Sequence, residues 1–310
     1  MSRIVNVAAA QVGPIARQTS KAAVVERLLA LMREADRRGS DVVVFPELAL
    51  TTFFPRWYIQ DDEELDHFYE SEMPSPETQP LFDEAAKLGM GFVLGYAELT
   101  PEGHRYNVSI WVDETGEIVH KYRKVHLPGH HEHETWRPFQ HLEKRYFEVP
   151  ESHEGFRVGK AHNGIVGMLI CNDRRWPESY RVLGLQGVEL IAIGYNTPIH
   201  NPPSPEHDRH SWFHNELVMS AGAYQNGTWV VGVARAGDEE GVPMIGGSCI
   251  IAPSGEVVAR ARTEGDEIIT AACDLDDTRS YKDWVFNFDA HRVPQHYDSI
   301  TAQRGVILPD

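Results

Sequence analysis

The sequence predicts a single α/β domain, and three observations lead there. Short apolar runs, β-branched at residues 41–45 and of mixed type at 165–170, have the length of buried strands and are too short for helices. Up to about residue 226 such runs alternate with amphipathic stretches of helical period, and beyond it they follow one another through tight turns. No internal repeat, low-complexity linker or composition break divides the chain. One domain over residues 1–310 is therefore expected, long for a domain but within the range of layered α/β folds.

Taken in order, residues 3–11 read as a buried strand broken by Gly13-Pro14. Residues 20–38 place Val24, Leu28, Leu31, Met32 and Ala35 on one helical face, and Gly39 ends that helix. Residues 41–45 form a strand that stops at Pro46. Residues 55–75, rich in Pro, Asp and Glu, read as a surface excursion, and 77–88 as a second amphipathic helix. Strands are expected at 91–99, 106–112 and 117–122, the last two joined by an Asp113-Glu114-Thr115-Gly116 turn. Residues 129–147 look loop-like. The strand at 165–170 precedes a short helix at 177–186, with Pro177 suited to a first helical position. A strand at 188–193, a helix at 208–226 and strands at 228–235, 245–252, 256–262 and 267–273 complete the body. The tail, residues 274–310, is polar and aromatic and is expected to pack on the body or on a neighbouring subunit.

Composition bounds the function. An apolar share of 42% with 24% charged residues is ordinary for a globular protein. The net charge of −17 argues against nucleic acid or an anionic membrane as a partner. Cys171, Cys249 and Cys273 are odd in number, widely spaced and without a C-x-x-C, which fits a reducing compartment rather than a disulfide framework or thiolate zinc site. The N-terminal stretch alternates like a strand and lacks a signal-peptide core, and no apolar run could span a bilayer, so a cytoplasmic protein is expected.

Three strand ends break their apolar context. The run ending at Ile170 is followed at once by Cys171-Asn172-Asp173-Arg174-Arg175. A cysteine between a strand end and a helix start lies near unpaired backbone N–H groups, which favour a thiolate or a developing oxyanion. A lone cysteine there is otherwise a small buried hydrophobe. The adjacent arginines are costly at a sheet edge unless they meet an anion or an acidic neighbour such as Asp173 or Glu178. Glu47 follows the strand at 41–45 and is flanked by apolar sequence, which raises a carboxylate's pKa toward that of a general base. Lys124 ends a third strand. His130, His131, His133 and His141 enrich the intervening loop in histidine, yet H-E-x-x-H and C-x-x-C are both missing, so no metal and no cofactor are expected.

The segments Phe45-Pro46-Glu47, Tyr122-Arg123-Lys124-Val125-His126-Leu127 and Ile170-Cys171-Asn172-Asp173-Arg174-Arg175-Trp176-Pro177-Glu178, in this order, resemble the nitrilase superfamily of carbon–nitrogen hydrolases. The resemblance covers nearly the whole chain. It implies a four-layer αββα sandwich and a Glu47, Lys124 and Cys171 catalytic triad. The stretches around Phe45 to Trp57, Arg137 to Phe147, Gly194 to Pro198 and Pro294 to Tyr297 are most similar to the N-carbamoyl-D-amino acid amidohydrolases. Residues 130–136 and 235–245 depart from that pattern, which bears on side-chain preference. The resemblance implies hydrolysis of a small N-carbamoyl amino acid by a homodimer or homotetramer. Arg174 and Arg175 are candidates for the substrate carboxylate, with Asn172, His126, His141, Glu143, Asn196 and Thr197 at the pocket and Glu143 positioning Lys124. Alternatives are a β-ureidopropionase, an aliphatic amidase or a nitrilase, and, from another class, a non-catalytic protein binding a metal or ligand through the His-rich loop.

Overall fold

The computed structural model describes residues 2–309. Its strands are β1 (Ile4–Gln11), β2 (Val42–Val44), β3 (Gly91–Leu99), β4 (Arg105–Val112), β5 (Ile118–Arg123), β6 (Val158–Ala161), β7 (Gly164–Ile170), β8 (Leu190–Tyr195), β9 (Trp229–Ala234), β10 (Ala236–Glu239), β11 (Val242–Ile245), β12 (Cys249–Ile251), β13 (Val257–Arg260) and β14 (Glu267–Asp274). The longer helices are α1 (Lys21–Arg37), α2 (Gln79–Leu88), α3 (Pro177–Gly184) and α4 (Ser211–Asn226).

Two six-stranded mixed sheets form, in the orders β14-β1-β2-β3-β4-β5 and β13-β12-β9-β8-β7-β6. Each is parallel at its centre and antiparallel at its margins. The two-residue period of β1 shows how the layers assemble. Val5, Val7 and Ala9 join a core shared with β7, β8 and β9, while Ala8 and Ala10 pack with Val24, Leu28 and Met32 of α1. Met219 of α4 and Tyr180 and Leu183 of α3 extend the first core on the far side of the second sheet. The layers are thus helices, sheet, sheet, helices.

The expected helices and most expected strands lie within a few residues of their predicted bounds. The strand expected at 245–252 is shortened to β12, because Gly246 and Gly247 take positive φ of 57° and 71° and turn the chain ahead of it; β11, which shares only Ile245 with the expected range, is a further strand. β6 and β10 were not expected: Val-Gly-Lys-Ala is half-buried at a sheet edge, and β10 buries the charged Glu239. The start of the tail packs on its own chain. Phe286 meets Tyr224 of α4 edge-on at 4.9 Å, and Lys282 Nζ donates to the Gly187 carbonyl. Trp284 and residues 306–308 stay exposed. Among the described residues no helix is long and apolar enough to cross a membrane.

Candidate active site

Four strand ends meet in one place. Glu47 follows β2, Lys124 follows β5, Cys171 follows β7 and Asn196 follows β8. Close approach of the Glu47 segment requires two glycines. A Cβ on Gly95 of β3 would lie 2.7 Å from the Pro46 carbonyl oxygen, and one on Gly194 of β8 would lie 2.5 Å from the Glu47 nitrogen. The chain carrying Glu47 therefore runs between two strands that present no side chain to it.

Glu47 is buried. Its Oε1 accepts from Lys124 Nζ at 2.7 Å and Asn107 Nδ2 at 2.8 Å, and its Oε2 from the Asn196 N–H at 2.9 Å. Asn196 Nδ2 also donates to the Glu47 carbonyl at 2.8 Å. Lys124 Nζ donates to Glu143 on its other side, and Glu143 Oε1 meets His141 Nε2 at 3.1 Å. One ligand atom each from Glu47, Glu143 and Cys171 lies within 4.8 Å of the others. The Lys124 ammonium bonds both carboxylates of that trio, which sets the group against a bound cation.

Electrostatics assign each group a resting state. Burial raises the Glu47 pKa, and the Glu143 charge adds to it against the pull of Lys124. Burial opposes charge on Lys124, but Glu143 and Glu47 outweigh it and hold the ammonium well above its ordinary value. Burial likewise acts to raise Glu143, yet Lys124 and His141 bring it below the usual range. Burial and then the Glu47 charge push the Cys171 thiol up, against Lys124 and Arg174. This corrects the expectation of a thiolate-favouring position: the resting sulfur carries its proton, with a buried carboxylate within reach to take it.

Of the five described non-glycine residues with left-handed backbone, two are at the site, Leu48 directly after Glu47 and Cys171 itself, each at φ 46°. Such strain costs roughly 1–3 kcal/mol per residue and persists only where its surroundings enforce it. For Leu48 the enforcing group is Arg235, fully buried, whose Nη2 donates to the Leu48 and Thr51 carbonyls at 3.2 and 3.0 Å while Nη1 bonds Glu239 at 2.9 Å. Segment 235–245, expected to bear on substrate preference, contributes through Arg235 and Glu239 to holding the Glu47 loop.

A cavity of about 410 Å³ opens over Cys171. Asn172, Arg175, His141, Asn196 and Thr197 line it, together with Arg137, Phe139, Ile199, Pro202 and the histidines His200, His207 and His214. No carboxylate is among its lining residues. A larger groove of about 780 Å³ lies elsewhere, by the sheet margins β5 and β6, and no cysteine, serine or threonine lines it. Of the sequence candidates for the pocket, Arg174, His126 and Glu143 do not line the cavity, and Glu143 lies buried against Lys124 instead. Arg174 is buried over the Tyr195 ring, donating to Asn215 Oδ1 at 2.9 Å, the Cys171 carbonyl at 2.6 Å and Thr197 Oγ1 at 3.0 Å. His126 bonds Asp173 and stacks on Trp176. Arg175 makes no ion pair among the described residues. Arg175 is an exposed residue that lines this cavity on one side and a smaller one beside α3 and α4 on the other. Partial desolvation of its guanidinium and the neighbouring Arg174 lower its pKa to about 10, so it remains charged at neutral pH. Asn107 was not anticipated, although a polar amide in the apolar run of β4 is a signal that could have been read.

A model of the carbon-nitrogen hydrolase family matches residues 6–283. The chain belongs to this family. A nitrilase from Pyrococcus abyssi is 32% identical over 246 residues, covering 79% of this chain and 81% of that one. An N-carbamoylputrescine amidase from Oryza sativa is 29% identical over 290 residues, covering 89% and 88%. In fold, a carbon-nitrogen hydrolase from Helicobacter pylori superposes with a TM-score of 0.83 at 21% identity, over 97% of this chain and 99% of that one. With the Glu47, Lys124, Glu143 and Cys171 geometry, this carbon-nitrogen hydrolase is a cysteine-dependent member of the nitrilase superfamily, acting on non-peptide carbon–nitrogen bonds.

Proposed function

We propose that the protein hydrolyses N-carbamoyl-D-amino acids to the D-amino acid, ammonia and carbon dioxide. The observation that carries this reading is Arg175: a guanidinium that makes no ion pair among the described residues, at a cavity whose lining residues include no carboxylate, in a chain of net charge −17. A planar fork of donors suits a substrate carboxylate. The ammonium end of a substrate such as N-carbamoylputrescine would instead meet Arg137, Arg175 and several histidines. The D preference rests on the sequence resemblance.

A ureido carbonyl is a poor electrophile, so hydrolysis gains from a covalent route. Cys171 Sγ attacks the carbonyl carbon as Glu47 takes the thiol proton. Lys124 and a backbone N–H after Cys171 stabilise the tetrahedral oxyanion, on the order of 3 kcal/mol per donor. The C–N bond to the terminal nitrogen breaks, Glu47 returns the proton, and ammonia leaves a thioester. Glu47 then deprotonates a water that attacks this thioester. Sγ departs and takes back the proton held by Glu47, and the released N-carboxy amino acid loses carbon dioxide.

The test is ammonia release from both enantiomers of several N-carbamoyl amino acids, with N-carbamoyl-β-alanine, simple amides and nitriles alongside. Turnover confined to D-enantiomers is expected. Preference for N-carbamoyl-β-alanine, an amide or a nitrile would overturn the substrate assignment and leave the triad. We also propose a homodimer or homotetramer, because Trp212, Phe213 and Leu217 of α4 stand 51%, 62% and 47% exposed. Light scattering that returned a monomer would refute it.

A further inference from the structure

We propose that Asp173 is a positioning residue for the reaction: one buried carboxylate that holds the strand end carrying Lys124 and the turn carrying Cys171 in a single register. The proposal rests on the roles given above to Lys124 and Cys171. Asp173 is fully buried, and no lysine or arginine pairs with it among the described residues. Its charge is met by four donors. Oδ2 accepts from the Tyr122 hydroxyl at 2.7 Å and the Ile170 N–H at 3.0 Å. Oδ1 accepts from the His126 N–H and from His126 Nδ1, both at 2.9 Å. Tyr122 and His126 stand two residues before and two after Lys124, and Ile170 directly precedes Cys171. A second tie runs in parallel, from Asn172 Nδ2 to the His126 carbonyl at 3.2 Å.

Two features go beyond the capping of a turn. A capping carboxylate serves its own chain segment, whereas three of these four donors come from residues 47 or 51 positions away. The turn itself is strained at Cys171, and the Ile170 to Asp173 bond closes the chain around that strained residue. The residue type is also specific. An ionised carboxylate accepts only, at about four sites, and so can meet four converging donors. The amide of an asparagine would turn two of its own N–H groups toward two of them.

The test pairs Asp173→Asn with Tyr122→Phe, which removes one donor and leaves the ring. Turnover of N-carbamoyl-D-phenylalanine and of propionamide is measured beside alkylation of Cys171 by iodoacetamide, a reaction with no oxyanion for Lys124 to meet. We expect kcat to fall about 10-fold in Tyr122→Phe and about 100-fold in Asp173→Asn, with KM and the alkylation rate within about threefold. The double variant should be no worse than Asp173→Asn, because both act through one carboxylate. Turnover and alkylation falling together with the folded fraction, as measured by near-ultraviolet circular dichroism, would reduce Asp173 to a structural role and overturn the proposal. Unchanged kcat would do the same. If Asp173→Asn does not fold, Tyr122→Phe decides alone. Propionamide keeps the test readable if the N-carbamoyl substrate proves wrong, since that failure shows in the unsubstituted protein.

Discussion

Replacing Gly194 by alanine should damage catalysis with little damage to the fold. The added Cβ would lie 2.5 Å from the Glu47 nitrogen, 2.7 Å from the Pro46 carbonyl carbon and 3.1 Å from the Phe45 oxygen. All three are backbone atoms, so no flexible side chain can yield. The shortest contact falls about 0.9 Å short of ordinary van der Waals separation, and the Glu47 segment must move by that amount or β8 must. Overpacking of this kind costs roughly 1–3 kcal/mol, which a domain with about 5–15 kcal/mol of stability survives. A shift near 1 Å in a catalytic group costs on the order of 100-fold in rate. We therefore expect kcat to drop about 100-fold in an ammonia-release assay, with KM and iodoacetamide labelling of Cys171 little changed. Gly265→Ala is the matched control, because its Cβ meets nothing within 4 Å. Unchanged kcat in Gly194→Ala, or an equal loss in the control, would refute the argument that this glycine exists to admit Glu47.

Cys171→Ala should abolish ammonia release while the thermal melt stays cooperative; substantial residual turnover would remove the nucleophile assignment. Arg175→Lys should raise KM for N-carbamoyl amino acids about tenfold, because an ammonium loses the bidentate match to a carboxylate. Arg174→Lys should act on kcat instead, since the guanidinium bonds Asn215, Thr197 and the Cys171 carbonyl at once. The reverse pattern in steady-state kinetics would exchange the two roles. Glu47 must be ionised to accept the thiol proton, and its pKa is raised by burial. So kcat/KM should fall as pH drops through a value above the ~4.3 of an ordinary glutamate. Lys124, held above its ordinary value, should add no loss on the alkaline side below about pH 10. An acid limb at or below pH 4.3 would contradict the burial argument.

Much of this was legible in the sequence, for identifiable reasons. Strands such as β2 and β7 announce themselves because burial on both faces demands unbroken apolar runs. Glu47, Lys124 and Cys171 stand out as polar residues where such runs stop. Their convergence was not legible, because it depends on two sheets facing each other. Arg174 and Arg175 are chemically identical neighbours, and only the tight turn sends one into the core and the other to the cavity wall. Asp173 read as an acidic neighbour for those arginines, and its true partners, Tyr122 and His126, lie far off in the chain. The β10 strand escaped because Glu239 belongs to a buried ion pair with Arg235, a partner that composition cannot name.

Glu47 and Lys124 belong to one sheet, Cys171 and Asn196 to the other. Turnover is therefore a report on the docking of the two halves. A loosened state with every strand still paired, but with the shared core of Val7, Met168 and Ile191 no longer packed, would keep its far-ultraviolet spectrum and do no chemistry. In refolding, β2 to β5 and β6 to β9 can pair early, whereas β14 must return from the far end of the chain to β1. The contact that makes an enzyme spans more than a hundred residues from Glu47 to Cys171, so competence should be among the last properties the chain acquires.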